Sequence, residues 1–159
     1  MARGGKAARL VGGFFGRRAG RFFRRARKRE EITPRGFLRD ARERGGFTWS
    51  PHTRRPPDDG YMVALTGHTV QHPASLLDDL DASAVAIDDY LMRRRSLFEN
   101  DRDVYLGGWI EDGKLWLEPS RNVRDRAAAV RLARETDQIA IYDVRAGTTI
   151  DTGGAGGFL

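Results

Sequence analysis

The stretch VYLGGWIEDGKLWLEPS, Val104 to Ser120, decides the fold. Val104 to Ile110 is rich in β-branched and aromatic residues, which predicts a strand. Asp112–Gly113 is the dipeptide of two-residue hairpin turns, because both central residues of such a turn need positive φ. Lys114 to Leu117 then predicts the returning strand. Gly107 and Gly108 inside the first strand point to a bulge or to a close backbone approach. Trp109 and Trp116 stand on either side of the turn and are placed to pair across it. The hairpin reading makes both indoles packing residues; a platform for stacking a base or ligand is the alternative.

Outward from the hairpin, other segments fall into register. Gly60 to Leu65 reads as a short strand, and His72 to Leu77 as a turn or brief helix. Asp81 or Ser83 is placed to cap a helix running to about Phe98, with Ala84, Ile87, Leu91 and Phe98 on one face. Asn122 or Ser120 is placed to cap a second helix to about Thr136, with Val123, Ala127 and Val130 inward. Gln138 to Val144 reads as a last strand. The order strand, helix, strand, strand, helix, strand predicts an α+β fold. It is βαββαβ-like, ferredoxin-like or related, with a sheet covered by helices on one face. An α+β sandwich of another strand order fits the same pattern. Before this body, Thr33 and Pro34 start and Gly45 stops a short helix. A loop containing three of the six prolines follows. The predicted division is a basic arm (1–31), a short helix and Pro-rich linker (32–59), the α+β body (60–150) and a flexible Gly-rich tail (151–159).

The net charge of +6 hides an asymmetry. Residues 1–29 hold eleven Lys or Arg and no acid, which leaves the rest of the chain at −5. Such a division points to nucleic acid or an anionic surface as the arm's partner. The 25 Arg against 3 Lys look like the bias of a GC-rich genome, so arginine over lysine carries no message. With no cysteine, disulfides, thiolate zinc sites and a cysteine nucleophile are excluded. No run approaches the roughly 18 apolar residues of a membrane span.

Other motifs yield no chemistry. His68 and His72 have the spacing of a helical zinc pair, but Gly67 and Pro73 argue against a helix there. Thr149 to Gly154, TIDTGG, has the Asp-Thr-Gly of aspartic proteases without a following scaffold. The later glycines lack the Lys-Ser/Thr of a phosphate loop. The doublets Asp58–Asp59, Asp78–Asp79 and Asp88–Asp89 read as solvated charge. No cofactor or metal is expected. An enzyme acting on nucleic acid needs Arg, Glu and Tyr to converge from distant segments; Glu118 and Tyr142 are the cleft residues chosen for that case.

The arm carries the strongest signal. Arg17, Arg18, Arg21, Arg24, Arg25, Arg27, Lys28 and Arg29 place eight cations in thirteen residues, with Phe14, Phe15, Phe22 and Phe23 among them. Cations neutralise phosphates while rings stack or wedge. Phe15, Ala19, Phe22 and Ala26 share one side of a helical wheel, which four glycines weaken. Rival readings are a cationic helix on an anionic membrane or acidic protein surface, an organellar-type presequence, and a solvated tail. A twin-arginine export signal is rejected because no apolar stretch follows Arg17–Arg18.

From about residue 45 to 157 the chain resembles a small domain of actinobacterial tailed phages and prophages. That domain occurs in head-associated and MuF-like minor capsid or polyvalent proteins. Tyr105, Gly107, Trp109, Gly113, Leu117, Ser120, Gln138, Ala140 and Asp143 carry the resemblance. The chain departs from it at Leu117–Glu118–Pro119, where that group often has Leu-Asp. The resemblance brings no catalytic residues. It implies a virion-associated or prophage-encoded accessory module, in the bacterial cytoplasm or the phage particle. The resulting expectation is a non-enzymatic protein whose arm binds DNA without sequence preference, or an acidic or capsid-associated partner. A small nuclease or toxin-like enzyme is the alternative.

Overall fold

The computed structural model describes residues 34–156. Pro34 opens helix α1 (Pro34–Arg44), where its fixed φ suits the helix and its missing amide hydrogen costs nothing. Gly45, at φ +90°, ends that helix and donates its amide to the Ala41 carbonyl at 2.8 Å. Then follow β1 (Gly46–Trp49), β2 (Tyr61–Ala64), β3 (Val70–Pro73), a 3-10 turn (Ala74–Asp78), α2 (Leu80–Arg93) and α3 (Arg95–Asn100). The chain continues through β4 (Val104–Glu111), β5 (Lys114–Val123), α4 (Arg126–Glu135), β6 (Ala140–Asp143) and β7 (Thr148–Asp151). The fold is α+β. Among the described residues seven strands make one sheet in the order β1-β4-β5-β2-β6-β7, with β3 beside β5. Every pairing is antiparallel.

The opening hairpin is the spine of this sheet. Asp112 and Gly113 take φ of +50° and +71°, the pair of positive values a two-residue turn needs. Trp109 pairs with Trp116, and β4 bonds β5 along its whole length without a bulge. Gly108 is explained instead by close approach: a Cβ there would overlap the edge of the Phe47 ring from β1. The far edge of β5 is shared. Residues 120–123 pair with β2 and residues 114–117 with β3. Between them Leu65–Thr69 loops out opposite Glu118–Pro119. Pro119 has no amide hydrogen to give a continuous ladder, and its carbonyl accepts from the Leu65 amide at 2.8 Å.

Strand alternation sorts the core into two layers. Val104, Leu106, Leu115 and Leu117 face α1, α2 and α3, packing with Phe37, Leu38, Ile87, Tyr90 and Phe98. On the same side Val63 and Ile141 meet Ala129 and Ala133 of α4. Small residues at i and i+4 let that helix lie close to the sheet. Met62, Ala64, Trp109, Trp116, Ala140, Tyr142 and Val144 form the opposite layer, with no helix residue among them.

Several boundaries differ from expectation, each for a local reason. Asp79, not Asp81 or Ser83, caps α2, its carboxylate accepting from the Asp81 and Ala82 amides at 3.0 Å. The helix expected to reach Phe98 breaks at Arg94, which leaves helical geometry. Ser120 and Asn122 lie inside β5, which runs past Pro119 to Val123, so Asp125 caps α4. Ala129 and Ala133 are the buried residues of α4, with Val123 and Val130 partly buried against them as expected, whereas Ala127 is exposed. Residues 32–59 do not run wholly as a helix and linker. Phe37 stacks on Phe47 at 4.4 Å and meets Trp49 at 5.0 Å, so α1 and β1 belong to the core. Nor is the Gly-rich stretch a loose tail as far as Gly156. Thr152 is buried and donates to the Gln138 carbonyl, while the Ala155 and Gly156 amides bond Asp137.

Candidate functional site

The eight cations and four phenylalanines of the arm lie outside the described residues. Within residues 34–156 the chemistry-bearing side chains gather on the helix-free face of the sheet and at the loop that interrupts β2 and β3.

Strand alternation fixes the composition of that face. Residues 105, 107, 109 and 111 of β4 point the same way as 116, 118, 120 and 122 of β5. Trp109 and Trp116, cross-strand partners, stack with centroids 5.9 Å apart and planes 8° from parallel. Both are only 5% exposed. The Trp116 indole N–H points to the Glu111 carbonyl at 3.4 Å, and the Lys114 ammonium lies 5.9 Å from the ring centroid. Two carboxylates, Glu111 and Glu118, belong to this same aromatic face.

Glu118 is the chemically most unusual group. It is 95% shielded from solvent, in mid-strand. Its Oε1 accepts from the Thr69 hydroxyl at 3.2 Å. Burial pushes its carboxyl up to about 7, against the smaller opposing effect of the Thr69 bond. Next to Thr69, the His68 carbonyl accepts from the Tyr90 hydroxyl at 2.8 Å and from Arg94 Nε at 3.1 Å. The Arg94 guanidinium lies 4.1 Å from the Tyr90 ring centroid. Burial raises the Tyr90 hydroxyl far above its ordinary range, more than the Arg94 charge lowers it. An Arg, a Glu and a Tyr therefore do converge, at residues 68–69. Each of the three bonds a residue of the Leu65–Thr69 loop: the Tyr90 hydroxyl and Arg94 Nε donate to the His68 carbonyl, and Glu118 accepts from Thr69. Tyr90 and Glu118 are both buried.

The remaining sequence candidates disperse. Tyr142 is fully buried, and burial raises its hydroxyl far above the ordinary range. It shares the helix-free face with Glu118, but β2 runs between their strands. His68 lies in the loop and His72 in β3, and no group of three or more His, Asp or Glu with metal-binding geometry occurs among the described residues. The doublets lie at the surface, where members of each make ion pairs or a cap. Asp59 pairs with Arg145 at 2.6 Å, Asp78 with Arg42 at 3.5 Å and Asp89 with Arg93 at 2.7 Å, while Asp79 caps α2. Asp151 accepts from the Gly153 amide at 2.7 Å within a turn. A shallow depression along α4 is lined by Asp125, Arg126, Ala127, Val130, Arg131 and Arg134. Sequence reasoning passed over Tyr90 and Arg94, whose only signal was their i, i+4 spacing on a helix.

Comparison of the chain with protein-family models, with curated proteins and with solved structures gives no match. No helix among the described residues is long and apolar enough to cross a membrane.

Proposed function

We propose that this chain is a non-enzymatic accessory protein of the phage or prophage type, acting in the bacterial cytoplasm or the phage particle. It holds DNA, or an acidic capsid-associated partner, through its N-terminal arm. One observation carries the reading. Residues 1–29 bear eleven cations and no acid, whereas residues 34–156 bear 17 Lys or Arg against 20 Asp or Glu. An acidic folded body repels a polyanion, so attraction rests with the arm. The inner strands β4-β5-β2-β6, with helices on one side, have the order of a ferredoxin-like sheet. In this reading they serve as a scaffold that presents the arm.

The test is a salt titration of duplex-DNA binding by the full chain. With about five of the clustered cations on phosphates, log affinity falls against log salt with a slope of about −4 to −5. Sequence preference is small, because phosphate contacts carry no base information. Replacing Arg17, Arg18, Arg21, Arg24 and Arg25 by Gln abolishes binding. No binding by the full chain at low salt, or preference for anionic vesicles, overturns the reading.

The convergence of Tyr90, Arg94 and Glu118 supports one rival, a small nuclease. It requires multiple turnovers of RNA or DNA by the purified chain, lost in Glu118→Gln while the fold is retained. The expected result is no turnover.

A further inference from the structure

The charge of the folded body is not spread evenly. Residues 78–93, the end of the 3-10 turn and α2, carry five Asp and one Arg. Residues 121–135, the end of β5 and α4, carry five Arg against Asp125 and Glu135. The two helices cover different parts of one sheet face: α2 packs with side chains of β4 and β5, α4 with those of β2 and β6. The body therefore has an acidic half and a basic half. The basic half is shaped as well as charged, because the depression along α4 takes three of its arginines. Arg126, Val130 and Arg134 follow one another at i, i+4 and i+8, about 6 Å of rise apart, with Ala127 and Arg131 alongside. The three arginines are exposed and Val130 is half-buried. Arg134 Nε donates to the Thr152 carbonyl at 3.0 Å, which orders that guanidinium before any partner arrives. Arg126 stands in the first turn, where the helix dipole disfavours a cation, so helix stability is not what places it there. We infer that this side of α4 is the folded body's contact with the DNA backbone. Arg126, Arg131 and Arg134 take phosphates, and Ala127 and Val130 lie against the deoxyribose between them.

Three features choose that partner. The first is charge: guanidinium forks match phosphate oxygens two bonds at a time, and a polyanion approaches the basic half of the body rather than the acidic one. Asp125 opposes this little, because its carboxylate caps the helix by accepting from the Ala128 amide at 2.7 Å. The second is pattern. A nucleic-acid backbone alternates charged phosphate with uncharged sugar, as Arg126, Val130 and Arg134 alternate cation, apolar side chain and cation. The third is shape. The depression is too shallow to bury the large anchor side chain on which the affinity of a protein partner rests. None of its six lining residues is aromatic, as stacking on unpaired bases requires, so the fit is to the backbone of a duplex.

The inference rests on the DNA reading proposed above and adds which face of the body meets the duplex. Arg126→Gln with Arg131→Gln in the full chain tests it, with Arg134 left to bond Thr152. A control, Arg93→Gln with Arg95→Gln, removes the same charge from the other half, where these arginines pair with Asp89 and Glu99. Binding of each chain to a short duplex of mixed sequence is titrated with salt. The expected slope of log affinity against log salt is shallower by about 1.8 for the α4 pair, at about 0.9 per phosphate, and unaltered for the control. An equal change in the control overturns the inference, because net charge is then the cause. A second measurement follows the backbone amide resonances of the unaltered full chain as duplex is added. Shifts at Ala127 and Val130 that exceed those at Asp88 and Asp89 are expected; shifts confined to residues outside α4 overturn the inference. If polyglutamate moves the α4 amides and duplex does not, the face belongs to an acidic protein segment and the inference falls. DNA binding whose slope the α4 pair leaves unaltered sinks the α4 contact alone. No binding by the full chain at low salt sinks both readings.

Discussion

The ring of Phe47 occupies the space above Gly108 that a side chain there would need. The two residues are register partners across β1 and β4, so neither strand shifts to make room. Gly108→Ala is expected to destabilise the fold by about 1–3 kcal/mol, as overpacking does. Phe47→Leu in the same chain recovers part of that loss. Urea unfolding of the single and double variants measures the coupling; simple additivity overturns the explanation.

Glu118 makes stability fall as pH rises. Its carboxyl titrates near 7 when folded and in the ordinary Glu range when unfolded. Between about pH 4.5 and 7 the folded chain therefore holds a proton that the unfolded chain gives up. The stabilisation from this group is complete below that window and lost above it, an effect on the order of 3 kcal/mol. Glu118→Gln keeps an acceptor for Thr69 and removes the slope. Urea midpoints at pH 5 and pH 8 compare the two chains, and equal pH dependence in both defeats the account.

Gln138 completes a strand that has run out of backbone. Its Oε1 accepts from the Ala64 amide at 3.0 Å, its Nε2 donates to the Ala64 carbonyl, and a second bond to Thr136 Oγ1 spans 2.9 Å. The side-chain amide thus stands in for a ladder partner of β2 beyond its pairing with β6. Gln138→Leu leaves both Ala64 groups buried and unpaired, at a cost of about 1–3 kcal/mol for each. Hydrogen exchange at the Ala64 amide is expected to quicken in that variant. An unchanged exchange rate at constant stability would falsify the role.

The first helix is a core element. Phe37→Ala is expected to cost about 3–5 kcal/mol, because the ring is buried between Phe47 and Trp49. A chain beginning at Gly46 loses Phe37, Leu38 and Ala41 together and is expected to show no cooperative unfolding transition. A sharp calorimetric peak from that shortened chain would restore the linker reading of residues 32–59.

Elements whose signals are local were legible in the sequence. Asp112–Gly113 specified the hairpin register by backbone stereochemistry alone, and Trp109 met Trp116 as alternation requires. Pro34 and Gly45 bounded α1 in the same way. What escaped depended on distant partners. Gly108 is explained by Phe47, sixty-one positions earlier, and β3 is a strand only because residues 114–117 of β5 offer it the edge that β4 does not use. No local signal marks Glu118 as a buried carboxylate in mid-strand. The placement of Thr69, Tyr90 and Arg94 near it comes from the looped-out Leu65–Thr69, which no periodicity encodes.

The hairpin's position late in the chain bears on how the protein is made. β1, β2 and β3 all find their partners in β4 or β5, residues that leave the ribosome after them. Until Val123 has emerged, Phe47, Trp49, Met62 and Val63 have no sheet to join, and the nascent chain carries unpaired, apolar strands. Once the hairpin closes, three waiting segments condense on it from both edges. Synthesis pauses before Val123 therefore prolong a state in which three apolar segments lack their strand partners, a state prone to aggregation.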